Sequence, residues 1–311
     1  MNYCFDKINR RAKSEPTVFV NECEEKFNTN VKEAAERIAV NLTKSKVVLL
    51  SGPSGSGKTT TSHKISDKLM EIGIKAHAVP LDKYLITYGK RAPRTADGEI
   101  DFEAPRGIDL ELLKVHFGLL EKGEEINIPH FSFKIQARDP AKLKRLKILS
   151  NEVVIFEGIH ALNDILTKSH PNAFKLYISS ESDVLRDGEM FFKKSWTRLL
   201  RRAVRDNNFR GLDVSFTLKS WASVREGEKK YITPFKPVAD FVFNSSLEYE
   251  IPLLRDHALK AFQNVPDDAD RVKELKQLPS VLEQFESMSS ENVPIDSVLR
   301  EFIGGGKYKY S

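Results

Sequence analysis

A short apolar run that ends in a glycine-rich turn constrains this chain more than any other stretch. Residues 46–60 read KVVLLSGPSGSGKTT. The Val- and Leu-rich part, 46–51, has the composition of a buried strand. Gly52-x-x-x-x-Gly57-Lys58-Thr59 follows at once, and Ile65, Leu69 and Ile72 then recur at helical spacing. Strand, glycine-rich turn and helix in that order predict a P-loop. The glycines let backbone N–H groups wrap a polyphosphate, and the helix start near Lys58 adds its positive dipole end. Gly52, Ser54, Gly55, Ser56, Gly57, Lys58, Thr59 and Thr60 are therefore the expected ATP-binding set. Lys58 reaches for the β- and γ-phosphates and Thr59 offers its hydroxyl to Mg²⁺.

The rest of the chain fits an α/β protein with a mostly parallel sheet covered by helices on both faces. Val153–Phe156, Phe174–Ser179 and Asp240–Asn244 read as further strands with helical patterns between them. Lys75–Leu81 is another, and Asp109–Glu121 has helical periodicity. Residues 126–149 alternate apolar and polar side chains, which predicts a small antiparallel excursion on the substrate side. The segment 86–108 is a glycine- and proline-marked loop long enough to expect a functional role. A helix capped by Asn30 and carrying Val31, Ala35, Ile38 and Leu42 should cover one edge of the sheet. The expected organisation is an N-terminal extension with one helix (1–44), a core built around the P-loop (45–265) that includes a further helical segment (190–232), and a C-terminal helical extension and tail (266–311). The helix of that last part should lie outside the core, and the tail should be flexible unless something pins it.

Composition excludes little. The charge of +5 suits an anionic small substrate as well as nucleic acid. No apolar run nears the ~20 residues that span a bilayer. The two cysteines, Cys4 and Cys23, are not in a metal-ligand spacing. These features, with no apolar stretch behind the charged N-terminus, predict a cytoplasmic protein without a membrane partner.

Three groups carry candidate chemistry besides the P-loop. Asp82 follows a strand and could accept the proton of an attacking hydroxyl or assist Mg²⁺, or simply cap the turn. Glu157 ends the strand Val153–Phe156, where P-loop enzymes keep an acidic partner for the metal, so Thr59, Glu157 and Asp82 form the expected metal set. Glu103, in Asp101-Phe102-Glu103, could accept two hydrogen bonds from a vicinal diol, or belong to a solvated acidic loop. Arg198, Arg201, Arg202 and Arg205 fall on one helix face, with Arg210 shortly after. Like charges at that spacing repel one another by several tenths of a kcal/mol per pair. The stripe makes sense facing phosphate, with a solvated face or a nucleic-acid patch as the alternatives; the P-loop weighs for phosphate and against nucleic acid.

These tracts together resemble the uridine kinase/phosphoribulokinase family. Besides the P-loop they are Leu81-Asp82-x-Tyr84, Asp101-Phe102-Glu103-x-Pro105, Pro129-x-Phe131-x-Phe133, VIFEGIHAL (154–162) and TRLLRRAVRDNNFRG (197–211). Trp221-x-Ser223-Val224-Arg225-x-Gly227-Glu228, Phe243-Asn244-Ser245 and SVLREFIGG (297–305) are similar to the uridine-kinase-like nucleoside kinases that often carry a TGS region, which these residues lack. The resemblance spans roughly residues 15–306. It implies ATP- and Mg²⁺-dependent phosphorylation of a nucleoside 5′-hydroxyl, with Asp82 as base, Lys58, Arg198 and Arg201 as catalytic partners, and Arg201 and Arg205 on ATP. It further implies Asp82, Tyr84, Glu103, Phe131, Gln136, Arg138, Arg198 and Arg210 on the nucleoside side. Departures occur at Phe131 and Ser132, where uridine–cytidine kinases usually have Tyr and Asp, and at Gln136, where they place a His. Ser195-Trp196-Thr197-Arg198 stands where the TGS-type relatives have Thr-Asp-Thr-Arg. A sugar-phosphate kinase using Arg138, Lys142 and Lys144, or a catalytically quiet nucleotide-binding regulator, are the alternatives. A homo-oligomer is left open.

Overall fold

A computed structural model of the chain describes residues 2–87, 93, 94, 98, 101, 103–133, 135–263 and 277–309. From the N-terminus a short strand, β1 (Tyr3–Cys4), leads into helices α1 (Phe5–Ser14) and α2 (Pro16–Asn41). Strand β2 (Val47–Ser51), helix α3 (Lys58–Glu71) and strand β3 (Lys75–Pro80) follow. Helix α4 (Leu110–Glu121) precedes four short strands, β4 (Ile126–Ile128), β5 (Phe131–Ser132), β6 (Ala137–Arg138) and β7 (Lys144–Leu146). Then come β8 (Glu152–Glu157), α5 (Asp164–Ser169), β9 (Phe174–Ser179), β10 (Val184–Arg186) and β11 (Glu189–Phe192). The chain continues through α6 (Lys194–Phe209), α7 (Val214–Tyr231), β12 (Phe241–Asn244), α8 (Glu250–Phe262), α9 (Leu278–Leu282) and α10 (Arg300–Ile303).

The central sheet has the strand order β12-β9-β2-β8-β3, and each neighbouring pair is parallel. Its side chains alternate between two apolar layers, as the two-residue period of a strand requires. Val48 and Leu50 enter the layer holding α2, α3, α6 and α8, whereas Val47 and Leu49 enter the one holding α4 and α5. Burial on both faces explains the continuous apolar runs Val47–Leu50 in β2 and Val153–Phe156 in β8. β2 lies between a later strand on each side, so the chain's winding reverses at its carboxyl end, where open α/β sheets bind ligands. Register brings the site together there: Leu50 pairs with Glu157, and Glu157 pairs with Pro80. The expected antiparallel excursion is present as the pairs β4–β7 and β5–β6.

The ends of the chain depart from expectation. The helix expected from Asn30 begins at Pro16, because proline is tolerated at a first turn and Phe19, Val20, Cys23 and Phe27 extend the apolar stripe of Val31, Ala35 and Ile38. It packs against α3 and against β12, an edge strand of the sheet, which is the place expected of it. The C-terminal segment is not outside the core. Leu278, Leu282 and Phe285 join the same apolar layer as α6 and α8; Val272 and Leu275 lie outside the described residues. The expected flexible tail is pinned. Arg300 donates to the carbonyls of Ser290 and Val293, and Lys307 and Tyr308 both reach Asp67. Val298, Leu299 and Phe302 are fully buried. Leu85 and Ile108 bridge the ends of the long loop, part of which lies outside the described residues.

Candidate active site

The turn after β2 and the start of α3 form the floor of a cleft of about 380 Å³. Gly57 precedes the helix with φ of 76°, a left-handed backbone that side chains avoid. Gly57 also lies against Val298, so a Cβ there would meet the Val298 methyl at 2.4 Å. Ser54, Gly55, Gly57, Lys58 and Thr59 line the cleft, and Lys58 Nζ donates to the Pro53 carbonyl at 3.0 Å. Ser56 and Thr60 are buried beside them. Burial pushes the Lys58 ammonium down, and Glu157 and Glu301 pull it back up.

Three carboxylates expected from sequence meet on this cleft. Asp82 sits on the 3-10 turn Leu81–Tyr84 that ends β3, and Glu157 ends β8; both line the cleft together with Glu103. Thr59 donates its hydroxyl to Glu157 Oε1 at 3.2 Å, so the paired hydroxyl and carboxylate expected for Mg²⁺ are adjacent. That donor set fits a hard cation which takes its remaining ligands from water and phosphate. Burial pushes Glu157 up to about 7 against the pull of Lys58, with Glu301 and Asp82 pushing the same way. Enclosure also raises Asp82, opposed by Lys58 and Arg210, although its side chain still meets solvent. Glu103 is raised by burial and drawn back by Arg202. Gly227 makes room for it, since a Cβ at 227 would stand 2.5 Å from that of Glu103.

The arginine stripe divides into two sets. Arg198 and Arg201, expected on phosphate, are buried in ion pairs and do not line the cleft: Arg198 is with Glu228 at 2.5 Å, and Arg201 is with Glu250 at 2.6 Å and also donates to the Gly55 carbonyl behind the phosphate loop at 3.4 Å. Arg201 also donates to the Ser245 carbonyl and lies over the Phe302 ring. The cause is that α6 is no surface helix. Leu199, Leu200, Ala203 and Val204 are buried, so α6 packs among α7, α8 and α10, and its inward arginines need internal carboxylates. Arg205 and Arg210 do line the cleft. Both are held by buried Asp206, which also takes Arg202, while Arg202 donates to Ser54 of the phosphate loop at 3.0 Å.

The expected nucleoside-side residues are scattered. Tyr84 is fully buried and its hydroxyl bonds His116 Nδ1 at 2.8 Å, so it faces the core and not the cleft. Arg138 braces the turn behind Asp82, donating to the Leu85 and Tyr84 carbonyls and pairing with Asp109 at 2.9 Å. Phe131 is buried against Phe133, and Gln136 is exposed at the hairpin tip with φ of 50°. None of these four lines the phosphate cleft. The sequence reading missed Glu301, Phe209 and Ile159, which do. Glu301 lies within the SVLREFIGG tract, but nothing local marks a carboxylate 241 residues away as a neighbour of Thr60.

A parallel sheet with a phosphate loop at its switch point, ringed by Lys58, Thr59, Asp82 and Glu157, defines a P-loop kinase. Residues 47–252 match the model of the Phosphoribulokinase / Uridine kinase family, and the chain belongs to that family. Among curated proteins it is similar to the uridine kinase of Halobacterium salinarum, at 28% identity over 62% of this chain and 77% of the relative. It is also similar to the uridine kinase of Clostridium novyi, at 26% over 62% of this chain and 84% of the relative. A solved structure described as a possible uridine kinase from Bacillus stearothermophilus aligns with 68% of this chain and 100% of its own, at 18% identity and a TM-score of 0.43, a likeness too distant to argue from. Among the described residues no helix is long and apolar enough to cross a membrane.

Proposed function

We propose that this kinase transfers the terminal phosphoryl group of ATP to the 5′-hydroxyl of a ribonucleoside, giving ADP and the nucleoside 5′-monophosphate. The reading rests on one observation: Glu103, Asp82 and Glu157 meet Lys58 in a single cleft. Lys58, with the phosphate-loop amides, holds the phosphate chain, while Arg205 and Arg210 offset charge on the group in transit. Glu103 accepts the ribose diol and aims the 5′-oxygen. Asp82 takes the hydroxyl proton as the new O–P bond forms and the bond to the β-phosphate oxygen breaks. Thr59 and Glu157 would hold Mg²⁺, which would supply charge neutralisation for the phosphate chain. The curated relatives above are uridine kinases by name, which supports a nucleoside acceptor. A sugar-phosphate acceptor draws less support, because Arg138 is committed to Asp109 and two carbonyls, and Lys142 pairs with Asp139.

The test is a panel of ribonucleosides, deoxyribonucleosides and ribulose 5-phosphate with Mg·ATP, read as acceptor-dependent ADP release. Turnover with at least one ribonucleoside is expected. Turnover with the sugar phosphate alone would overturn the nucleoside assignment.

A further inference from the structure

The start of α3 is already capped by an anion of the protein itself. Glu301 Oε2, from α10, accepts from the Thr60 hydroxyl at 2.7 Å and from the Thr60 backbone N–H at 3.4 Å. Thr60 is the third residue of the helix, and its N–H is one of the donors that a helix start presents to a phosphate. Arg205 lies 3.8 Å from the other oxygen of the same carboxylate. Three cations of the cleft, Lys58, Arg205 and Arg210, thus face four carboxylates, Asp82, Glu103, Glu157 and Glu301. The backbone carrying Glu301 is not free to leave, since Val298 packs on Gly57 and Phe302 lies under Arg201. The side chain, by contrast, borders the cleft.

We propose that Glu301 is a built-in competitor for the nucleotide's phosphate chain, holding the Thr60 donors until a polyphosphate takes them. The proposal builds on the nucleotide-binding reading above. Its consequence is selectivity. A nucleoside, which brings no phosphate, cannot displace the carboxylate, whereas a di- or triphosphate, bound at several loop amides at once, can. The acceptor is thereby kept off the phosphate loop.

Calorimetric titration of the full chain with ADP and with adenosine tests this, using the parent, Glu301→Gln and Glu301→Asp. Glu301→Gln removes the charge at nearly constant shape, and Glu301→Asp keeps the charge but shortens its reach to Thr60. Melting curves identify a variant that fails to fold, in which case the other carries the comparison. Both variants are expected to bind ADP roughly tenfold tighter than the parent, with adenosine binding unchanged. ADP binding that is equal or weaker in the variants overturns the proposal and makes Glu301 either neutral or part of the nucleotide's own contact set; the kinase reading then stands. No ADP binding by the parent or either variant overturns the nucleotide-site reading itself, and this inference with it.

Discussion

In the proposed transfer Asp82 is the group that must hold a proton it did not start with, so its removal should act on turnover rather than on nucleotide binding. Asp82→Asn is expected to lower kcat by about 10²–10⁴ with ADP affinity little changed, as measured by coupled ADP release and calorimetry. Glu157 carries a pH dependence with a definite sign. Its carboxyl is raised from the ordinary 4.5 to about 7, so the folded chain keeps a proton that the unfolded chain has lost between those values. The ligand-free protein therefore loses stability from this group as pH rises through that window, and the loss is complete above about 7. Glu157→Gln should melt higher than the parent at pH 8, by on the order of 1–3 kcal/mol, with the difference vanishing toward pH 4. Binding of Mg·ATP runs the other way, since the cation needs the ionised form. Its affinity should fall by up to about tenfold per unit below pH 7 in the parent and stay flat in the Gln variant. Arg201 and Glu250 belong to a different account, being fully buried partners. Glu250→Ala leaves a buried guanidinium uncompensated and should cost about 3–5 kcal/mol in urea unfolding.

Helix α6 shows how one element serves both core and cleft. Its apolar residues and two buried ion pairs fix it against α7, through Arg198 and Glu228, and against α8, through Arg201 and Glu250, and its last turn and the residue that caps it then offer Arg205 and Arg210 to the cleft. Asp206 sets both of these arginines from beneath without touching the cleft itself. Asp206→Asn should weaken ATP use, read as a several-fold rise in KM, and should also lower the melting point, because it leaves three arginines without their shared buried carboxylate. Helix α7 contributes through a space rather than a side chain. Gly227→Ala would drive a methyl into the Glu103 side chain. The expected result is a roughly tenfold higher KM for ribonucleosides and a much smaller effect on 2′,3′-dideoxynucleosides. Equal losses for both would sink the diol assignment to Glu103.

Across the molecule, both ends of the chain are structural. A chain ended after residue 292 would remove Val298, Leu299 and Phe302 from the core, at about 1.5–3 kcal/mol for each large apolar side chain. It should unfold at a clearly lower urea concentration than the parent, and an unchanged midpoint would contradict the packing described. The sheet was legible because period and punctuation are local: Val47–Ser51, Glu152–Glu157 and Phe174–Ser179 are apolar runs bounded by turns, and strand ends carry Asp82 and Glu157 whatever else the chain does. The phosphate loop was legible for the same reason, since its function needs glycines at fixed short spacing. The arginines were not, because Arg198 and Arg205 have the same local pattern and differ only in whether Glu228 or open cleft lies opposite. Nor was Glu301, whose partner Thr60 is 241 residues away. Short-range chemistry thus settled the strand ends, the anion-binding turn and the kinase class. Which charges are spent inside the core and which face the cleft depended on contacts between distant segments, because a charge finds its partner in space and leaves no periodic trace along the chain.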